Sequence, residues 1–220
     1  MNIFDIIGPV MVGPSSSHTA GAVRIGRISR KILGEDAAEA DIGLAGSFAM
    51  TYKGHGTDRA LIAGILGMKP DDGRIPNSFE VARDAGLSFR FSEVKLTRAH
   101  PNTAVIRLKG VEGAQCAVQG VSVGGGNILI TKLNGMDSVF NGEMDTLIVA
   151  HNDTPGIIAA VTAHLAEHDA NIGNFRLSRP HKGQQAIMTI ELDGGIGKNV
   201  VDELRALPNI ASVVYMRPRG

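Results

Sequence analysis

Apolar residues recur at helical spacing in two stretches of the first third of the chain. The first stripe consists of Ala22, Ile25, Ile28 and Ile32. It follows a serine-rich segment and ends at Gly34, and a second stripe over residues 61–66 ends at Gly67. Intervals of three and four residues predict two helices with one apolar face each. Between them, the small and apolar run 42–50 predicts a buried strand.

The middle of the chain alternates apolar and polar residues, as strands do. The predicted strands cover residues 87–94, 103–109, 114–123 and 127–133. Gly124–Gly126 joins the last two of them with no helix following, so it predicts a hairpin turn and not a phosphate-binding loop. Cys116 lies in a strand pattern, which predicts a small buried apolar residue.

A second unit is predicted after residues 134–143, where the apolar pattern lapses and glycines indicate a linker. Its strands are predicted at 146–150, 171–179, 186–192 and 210–216, with helices ending at about Glu167 and covering 198–206. Thr154 is the predicted N-cap of the first helix and Pro155 its first residue. The order βαββαβ is ferredoxin-like, so the sequence predicts an α+β protein with domains at residues 1–140 and 144–220.

Five consecutive hydrogen-bonding side chains stand at the start of the first predicted helix. They are Ser15, Ser16, Ser17, His18 and Thr19, and Pro14 precedes them. Free backbone N–H groups and the positive end of the helix dipole favour a carboxylate or phosphate at such a place. The alternative is a serine N-cap without a ligand.

A histidine between two glycines gives a second candidate site. Lys53-Gly54-His55-Gly56-Thr57-Asp58 follows the predicted strand 42–50 and precedes the second helix, which predicts a strand, a loop and a helix. In such a loop the imidazole of His55 projects as a proton donor or acceptor, whereas the alternative is a solvated turn. Two polar loops at helix starts, separated by one helix and one strand, favour a single shared pocket.

Other chemistry fits less well. Ser17 and His18 are sequence neighbours with diverging side chains, so they do not form a hydrolase triad. His18, His55 and His100 lack the spacing of a zinc site, and no metal ligand is predicted. The polar segment 98–103 is either part of a site or an ordinary Pro-Asn turn.

Composition excludes several classes of function. Twenty-two basic residues balance 22 acidic ones and aromatic residues make up 4%, which argues against a nucleic-acid or membrane-surface partner. The apolar run Met1–Val12 carries Asp5 and is too short for a membrane span or a secretion signal, so a cytoplasmic location is expected. The single cysteine cannot form an internal disulfide or hold an iron–sulfur cubane.

Four motifs together resemble the beta-chain family of bacterial iron–sulfur L-serine dehydratases. They are Gly13-Pro14-Ser15-Ser16-Ser17-His18-Thr19, Lys53-Gly54-His55-Gly56-Thr57-Asp58, His100-Pro101-Asn102-Thr103 and the glycine hairpin, followed by an Asp-x-Pro-Gly turn typical of ACT domains. The resemblance implies deamination of L-serine to pyruvate and ammonia, with a [4Fe–4S] cluster held by cysteines of a partner alpha chain. It also implies that the first domain resembles the allosteric substrate-binding domain of some phosphoglycerate dehydrogenases.

The resemblance further implies roles for individual residues. His55 resembles the catalytic base and His18 a second catalytic group. The residues implied on the substrate side are Ser15, Ser16, Ser17, Thr19, Lys53 and Thr57. The alternative is a regulatory subunit that binds an amino acid and catalyses nothing, which the absence of a neighbouring gene for a cysteine-bearing alpha chain would support.

In the ACT-like unit, His151 and Asn171 match the effector residues of the serine-binding ACT domain of phosphoglycerate dehydrogenase. Asp153 stands where that family has an asparagine. An aspartate cannot donate to a carboxylate, although it can pair with an ammonium group. The resemblance implies a homodimer contact with an amino acid bound between two copies at these three residues, and L-serine is the first candidate.

Overall fold

The computed structural model describes residues 10–218, so most of the predicted apolar run Met1–Val12 lies outside the described part. The chain divides into two compact units, Met1–Gly135 and Met136–Gly220. The domain limits at residues 140 and 144 stay a prediction. No helix within residues 10–218 is long and apolar enough to cross a membrane.

The first unit packs helices against a mixed sheet. Its helices are α1 (Gly21–Leu33), α2 (Gly46–His55), α3 (Thr57–Ile65) and α4 (Ser78–Asp84), with a π-helical turn at Ser16–Ala20 and a 3-10 turn at Ile75–Asn77. Its strands are β1 (Ala37–Leu44), β2 (Ser88–Glu93), β3 (Thr103–Gly110), β4 (Gln115–Gly124) and β5 (Asn127–Leu133). They lie in the order β2-β1-β3-β4-β5, with only the β1–β2 pair parallel within this unit's described strands. The predicted β4–β5 hairpin is confirmed.

One predicted strand is wrong, and the reason is a single glycine. The run 42–50 was expected to be continuous, but β1 ends at Leu44 and α2 begins at Gly46. Gly46 has φ +55, in the left-handed region, and a Cβ there would lie 2.7 Å from the Cα of Pro101. The chain therefore turns sharply at a position where only glycine fits, and the apolar residues beyond it form a helix.

The second unit has the predicted ferredoxin-like order. Its elements are β6 (Met136–Phe140), β7 (Asp145–Asn152), α5 (Ile157–Glu167), β8 (Ile172–Ser178), β9 (Gln185–Leu192), α6 (Lys198–Ala206) and β10 (Ile210–Met216). Four antiparallel strands lie in the order β10-β7-β9-β8, and both helices cover the apolar core formed by this sheet. The α+β fold with a C-terminal βαββαβ unit is thus confirmed.

Two local predictions in this region are wrong. The segment 134–143 contains strand β6 and is not a plain linker; the buried hydroxyls of Ser138 and Thr189 lie 2.6 Å apart there. Helix α5 is capped by Gly156 and not by Thr154, because Gly156 takes a left-handed conformation and Ile157 is the first helical residue.

Helices α1 and α3 cross closely because the two residues at their contact, Gly26 and Gly64, have no side chain. A Cβ on Gly26 would lie 2.9 Å from the backbone nitrogen of Ile65 and closer still to the carbonyl oxygen of Leu61. A Cβ on Gly64 would lie 2.9 Å from the nitrogen of Arg27. Both obstacles are helix backbone, which cannot rotate away as a side chain can.

We expect Gly26→Ala to lower the free energy of unfolding by about 1–3 kcal/mol or more, because the helices must separate to admit the methyl group. Gly73→Ala is the matched control, since a Cβ at this exposed position meets nothing within 4 Å. Urea unfolding of both variants measures the effect. Equal midpoints for the two variants would contradict the close crossing.

Candidate functional site

The serine-rich segment forms a helix start, as predicted. Ser15 has extended backbone, and its Oγ accepts a hydrogen bond from the backbone N–H of His18 at 3.2 Å. The turn that follows, Ser16–Ala20, is π-helical before the α-helix continues, a local widening that is frequent at functional sites. This turn directs His18 and Thr19 into the protein, where both are buried.

His18 is surrounded by hydroxyl groups. Its Nδ1 lies 3.1 Å from Ser17 Oγ and 3.5 Å from Ser15 Oγ, and its Nε2 lies 3.2 Å from Ser47 Oγ. The expectation that the side chains of Ser17 and His18 diverge is therefore wrong. The residue is 9% exposed. Burial lowers the pKa of His18, and the nearby His55 lowers it further. A neutral imidazole has one donor and one acceptor nitrogen, and hydroxyls can serve both.

The prediction of a glycine loop around His55 is wrong. Residues 53–55 belong to helix α2, and Gly56, with φ +68, forms the junction with α3. His55 is the exposed last residue of α2, and its ring meets the ring of His18 edge-on with centroids 4.8 Å apart. The two predicted histidines therefore do lie together, although on a helix end and not in a loop.

Ser47 also belongs to this site, although the sequence did not indicate it. Ser47, Thr51 and His55 are spaced by four residues, so they lie on one face of α2. That face meets His18 through Ser47 and His55, and the ring of Phe48 packs against His18 at 5.3 Å. The spacing was visible in the sequence, but it carries this meaning only once the segment is known to be helical.

A cavity of about 340 Å3 lies beside His55. It is lined by Val12, Gly13, Pro14, Thr19, Lys53, Gly54, His55, Gly56, Arg59, Ile75 and Pro76. Thr19 is 2% exposed and its Oγ1 has no hydrogen-bond partner in the described part of the chain. Lys53 and Arg59 contribute two positive charges. A small anion with a further hydrogen-bonding group matches this combination of charge and unpaired hydroxyl.

Arg59 is the second residue that the sequence did not indicate. Its guanidinium donates to the carbonyl of Pro76 and lies over the ring of Phe79, 5.5 Å from the centroid. Both contacts hold the charged group at the cavity. Nothing in the sequence near Arg59 distinguished it from an ordinary surface arginine.

The remaining predicted residues lie around the cavity without lining it in the described structure. Ser15 and Ser17 contact His18, and Ser16 is half-buried in the π-helical turn. Thr57 is fully buried at the start of α3, and its Oγ1 has no partner among the described residues. Its neighbour Asp58 is buried too, which raises the pKa of that carboxyl group.

The polar segment 98–103 positions helix α2. Phe48 N donates to the carbonyl of Pro101 at 3.2 Å, and Ala45 N donates to the carbonyl of Thr103 at 3.0 Å. The Thr103 hydroxyl donates to the His100 carbonyl at 2.6 Å. The bonds from Phe48 N and Ala45 N satisfy N–H groups at the start of α2. The segment therefore fixes the helix that carries Ser47 and His55.

In the second unit, His151 is fully buried at the end of β7. Its Nδ1 donates to the carbonyl of Asn152 at 3.0 Å, while Nε2 has no partner in the part of the chain described here. Asp153 accepts from Gly183 N at 3.0 Å and from Arg179 at 2.7 Å. These two bonds lower the pKa of the Asp153 carboxyl group.

Asn171 does not meet His151 within one chain. His151 pairs with Ala186 on β9, whereas Ile172, which follows Asn171, pairs with Leu192. Six strand positions separate these points, about 20 Å. The Asn171 side chain instead donates to the carboxylate of Asp193.

Comparisons with known proteins show which families the two units resemble. The family described as the serine dehydratase beta chain matches residues 2–81, and the ACT domain family matches residues 146–209. The chain is 45% identical over 212 residues to the "Probable L-serine dehydratase, beta chain" of Bacillus subtilis (strain 168), covering 96% of each chain. It is 36% identical to the L-serine dehydratase beta chain of Peptoniphilus asaccharolyticus, covering 97% of this chain and 96% of that one.

A more distant relative is the D-3-phosphoglycerate dehydrogenase of Bacillus subtilis (strain 168). It is 26% identical over 193 residues, which cover 87% of this chain and 36% of that protein. Both beta chains match this chain along nearly their whole length, and their sequence identities to it are well above 26%. The chain belongs to the family of L-serine dehydratase beta chains.

Proposed function

We propose that this chain supplies the substrate-side residues of an L-serine ammonia-lyase, which converts L-serine to pyruvate and ammonia together with an alpha chain. The observation that supports this most is the cavity beside His55, which combines two cations, a buried hydroxyl that no described residue pairs with and an exposed imidazole. Serine is small, and its carboxylate suits Lys53 and Arg59. We also propose that the complex is cytoplasmic.

His55 is the proposed base for the α-proton of serine. The reaction removes this proton and the β-hydroxyl group, and the enamine that results hydrolyses to pyruvate and ammonia. His55 is exposed at the cavity, whereas both nitrogens of His18 face serine hydroxyls. His18 is therefore proposed to fix the ring of His55 and the serine-rich turn, and Thr19 to bind the substrate.

The proposed cofactor is a [4Fe–4S] cluster on the alpha chain, which would supply the Lewis acid for the departing hydroxyl group. Cys116 does not suit a cluster. Burial raises the pKa of its thiol to about 12, and its Sγ lies 3.8 Å from the carbonyl oxygen of Ser29 inside the first unit. A cluster needs thiolates, so the family's cofactor fits a partner chain better than this one.

The ACT unit is proposed to bind an amino acid between two copies of the chain. His151 offers a buried Nε2 that has no hydrogen-bond partner among residues 10–218, and Asp153 lies two residues further along. Asn171 lies at the opposite end of the sheet, so a second copy related by a twofold axis is the arrangement that unites all three. L-serine is the proposed effector.

A purely regulatory subunit is the second candidate function. The match of residues 146–209 to the ACT domain family favours amino-acid binding by the second unit, and binding alone would need no base in the first. The two functions differ in what His55 does. A regulator tolerates its loss in the assembled complex, whereas a lyase does not.

We expect the isolated chain to bind no stoichiometric iron after anaerobic reconstitution and to form no pyruvate from L-serine. Co-expression with a cysteine-bearing alpha chain should produce both the cluster and the activity. Iron and sulfide determination and a pyruvate assay measure this. One cluster per isolated chain would refute the division of labour.

In the assembled complex, His55→Ala should lower kcat by ~10²–10⁴-fold, the usual contribution of a positioned proton acceptor. His18→Ala should lower kcat less but reduce the stability of the chain more, because His18 is buried and bonded whereas His55 is exposed. His181→Ala, an exposed histidine of the second unit, is the control. A loss below about tenfold for His55→Ala would favour the regulatory function.

Asn171→Ala and His151→Ala should each weaken L-serine binding by the ACT unit by about three- to tenfold or more, as expected for one lost hydrogen bond. Asn174→Ala is the control, because Asn174 lies on β8, three residues after Asn171, and its side chain donates to Glu191. Titration calorimetry of the whole chain with L-serine measures this affinity. The same titration of Arg59→Ala identifies the heat that comes from serine binding in the first unit. Unchanged affinity in both test variants would leave the ACT unit without a serine site.

A further inference from the structure

Two histidines and a glutamate gather on the helical layer of the second unit. His164 lies on α5, and His168 follows four residues later at its C-terminal cap. Residues four apart stand above one another on a helix, and the two imidazole rings meet edge-on with centroids 4.8 Å apart. Glu203 on α6 faces them, and its Oε2 lies 3.4 Å from His164 Nε2 and 3.1 Å from His168 Nε2.

These separations suit a tetrahedral metal ion. Ligand atoms 2.0–2.1 Å from zinc at tetrahedral angles lie roughly 3.3–3.4 Å from each other. Both histidine-to-glutamate distances are close to this edge length. All three ligand atoms lie within 4.8 Å of one another.

Burial gives an independent reason to expect a ligand here. The side chain of His164 is 12% exposed, and its Nε2 is buried without a hydrogen-bond partner in the described part of the chain. This nitrogen lies 3.4 Å from Glu203 Oε2 but makes no hydrogen bond to it. His168 and Glu203 are more exposed, so an ion reaches the group from solvent.

We propose that His164, His168 and Glu203 bind a divalent transition-metal ion of the Zn2+ class and thereby link α5 to α6. Two imidazoles and one carboxylate form a ligand set that Zn2+ and its neighbours prefer, whereas Mg2+ and Ca2+ prefer oxygen ligands. Three protein ligands leave a fourth position for water. This site is separate from the substrate and effector residues proposed above.

Titration of the untagged, EDTA-treated whole chain with ZnCl2 tests the proposal. We expect one equivalent to bind, with at least a tenfold loss of affinity in His168→Ala and in Glu203→Gln, since even the loss of an indirect support costs this much. Both residues are exposed, so these variants should fold even where His164→Ala does not. Zn2+ should also raise the thermal midpoint of the wild-type chain but not that of His168→Ala.

The controls are chosen to detect binding elsewhere. Glu167→Gln removes an exposed carboxylate from the same helix, and His181→Ala removes an exposed imidazole from the same unit. Both should bind Zn2+ as the wild type does, as should His55→Ala, and a tenfold excess of Mg2+ should not compete. Absence of binding at millimolar Zn2+, or equal binding in His168→Ala and Glu203→Gln, would overturn the proposal.

Discussion

The first unit depends on a buried imidazole that has hydrogen-bond partners on two separate segments. His18 contacts Ser17 in its own turn and Ser47 on α2, and its ring supports that of His55. A buried, charged imidazole would be costly here, because the surrounding hydroxyls carry no negative charge. Keeping His18 neutral therefore permits the serine-rich turn and helix α2 to pack together, and this packing holds His55 at the cavity.

The second unit differs, because two of its three proposed effector residues already have hydrogen-bond partners within the chain. Asp153 is held by Arg179 and a backbone N–H, and Asn171 by Asp193. An effector must replace these bonds, so only part of its interaction energy contributes to affinity. The exception is His151, whose Nε2 is buried and unpaired in the described structure. A ligand bound there, as proposed, would give this nitrogen the partner that the described residues do not supply.

Features with strong local patterns could be predicted from the sequence. The βαββαβ order followed from regularly spaced apolar segments, and the glycine hairpin from Gly124–Gly126 between two alternating runs. The start of α1 followed from a serine N-cap before a helical stripe. In each case neighbouring residues alone determine the local structure.

What the sequence did not indicate depends on contacts between distant segments. Residues 42–50 look like one strand because they are small and apolar, and only the approach of Pro101 to Gly46 explains the change to a helix. Ser47 and Arg59 therefore escaped notice, since their roles follow from the position of that helix and of the cavity. The spacing of His164 and His168 was visible, but Glu203 joins them only through packing of α5 on α6.

The protonation of His18 can be measured by long-range 15N NMR of the imidazoles in the whole chain, with His18→Gln used for assignment. We expect the His18 ring to become protonated only below the ordinary pKa of 6.5, with one protonated nitrogen in the neutral form, because burial and His55 both lower its pKa. An imidazolium that forms near the ordinary pKa of 6.5 would contradict this account of the site.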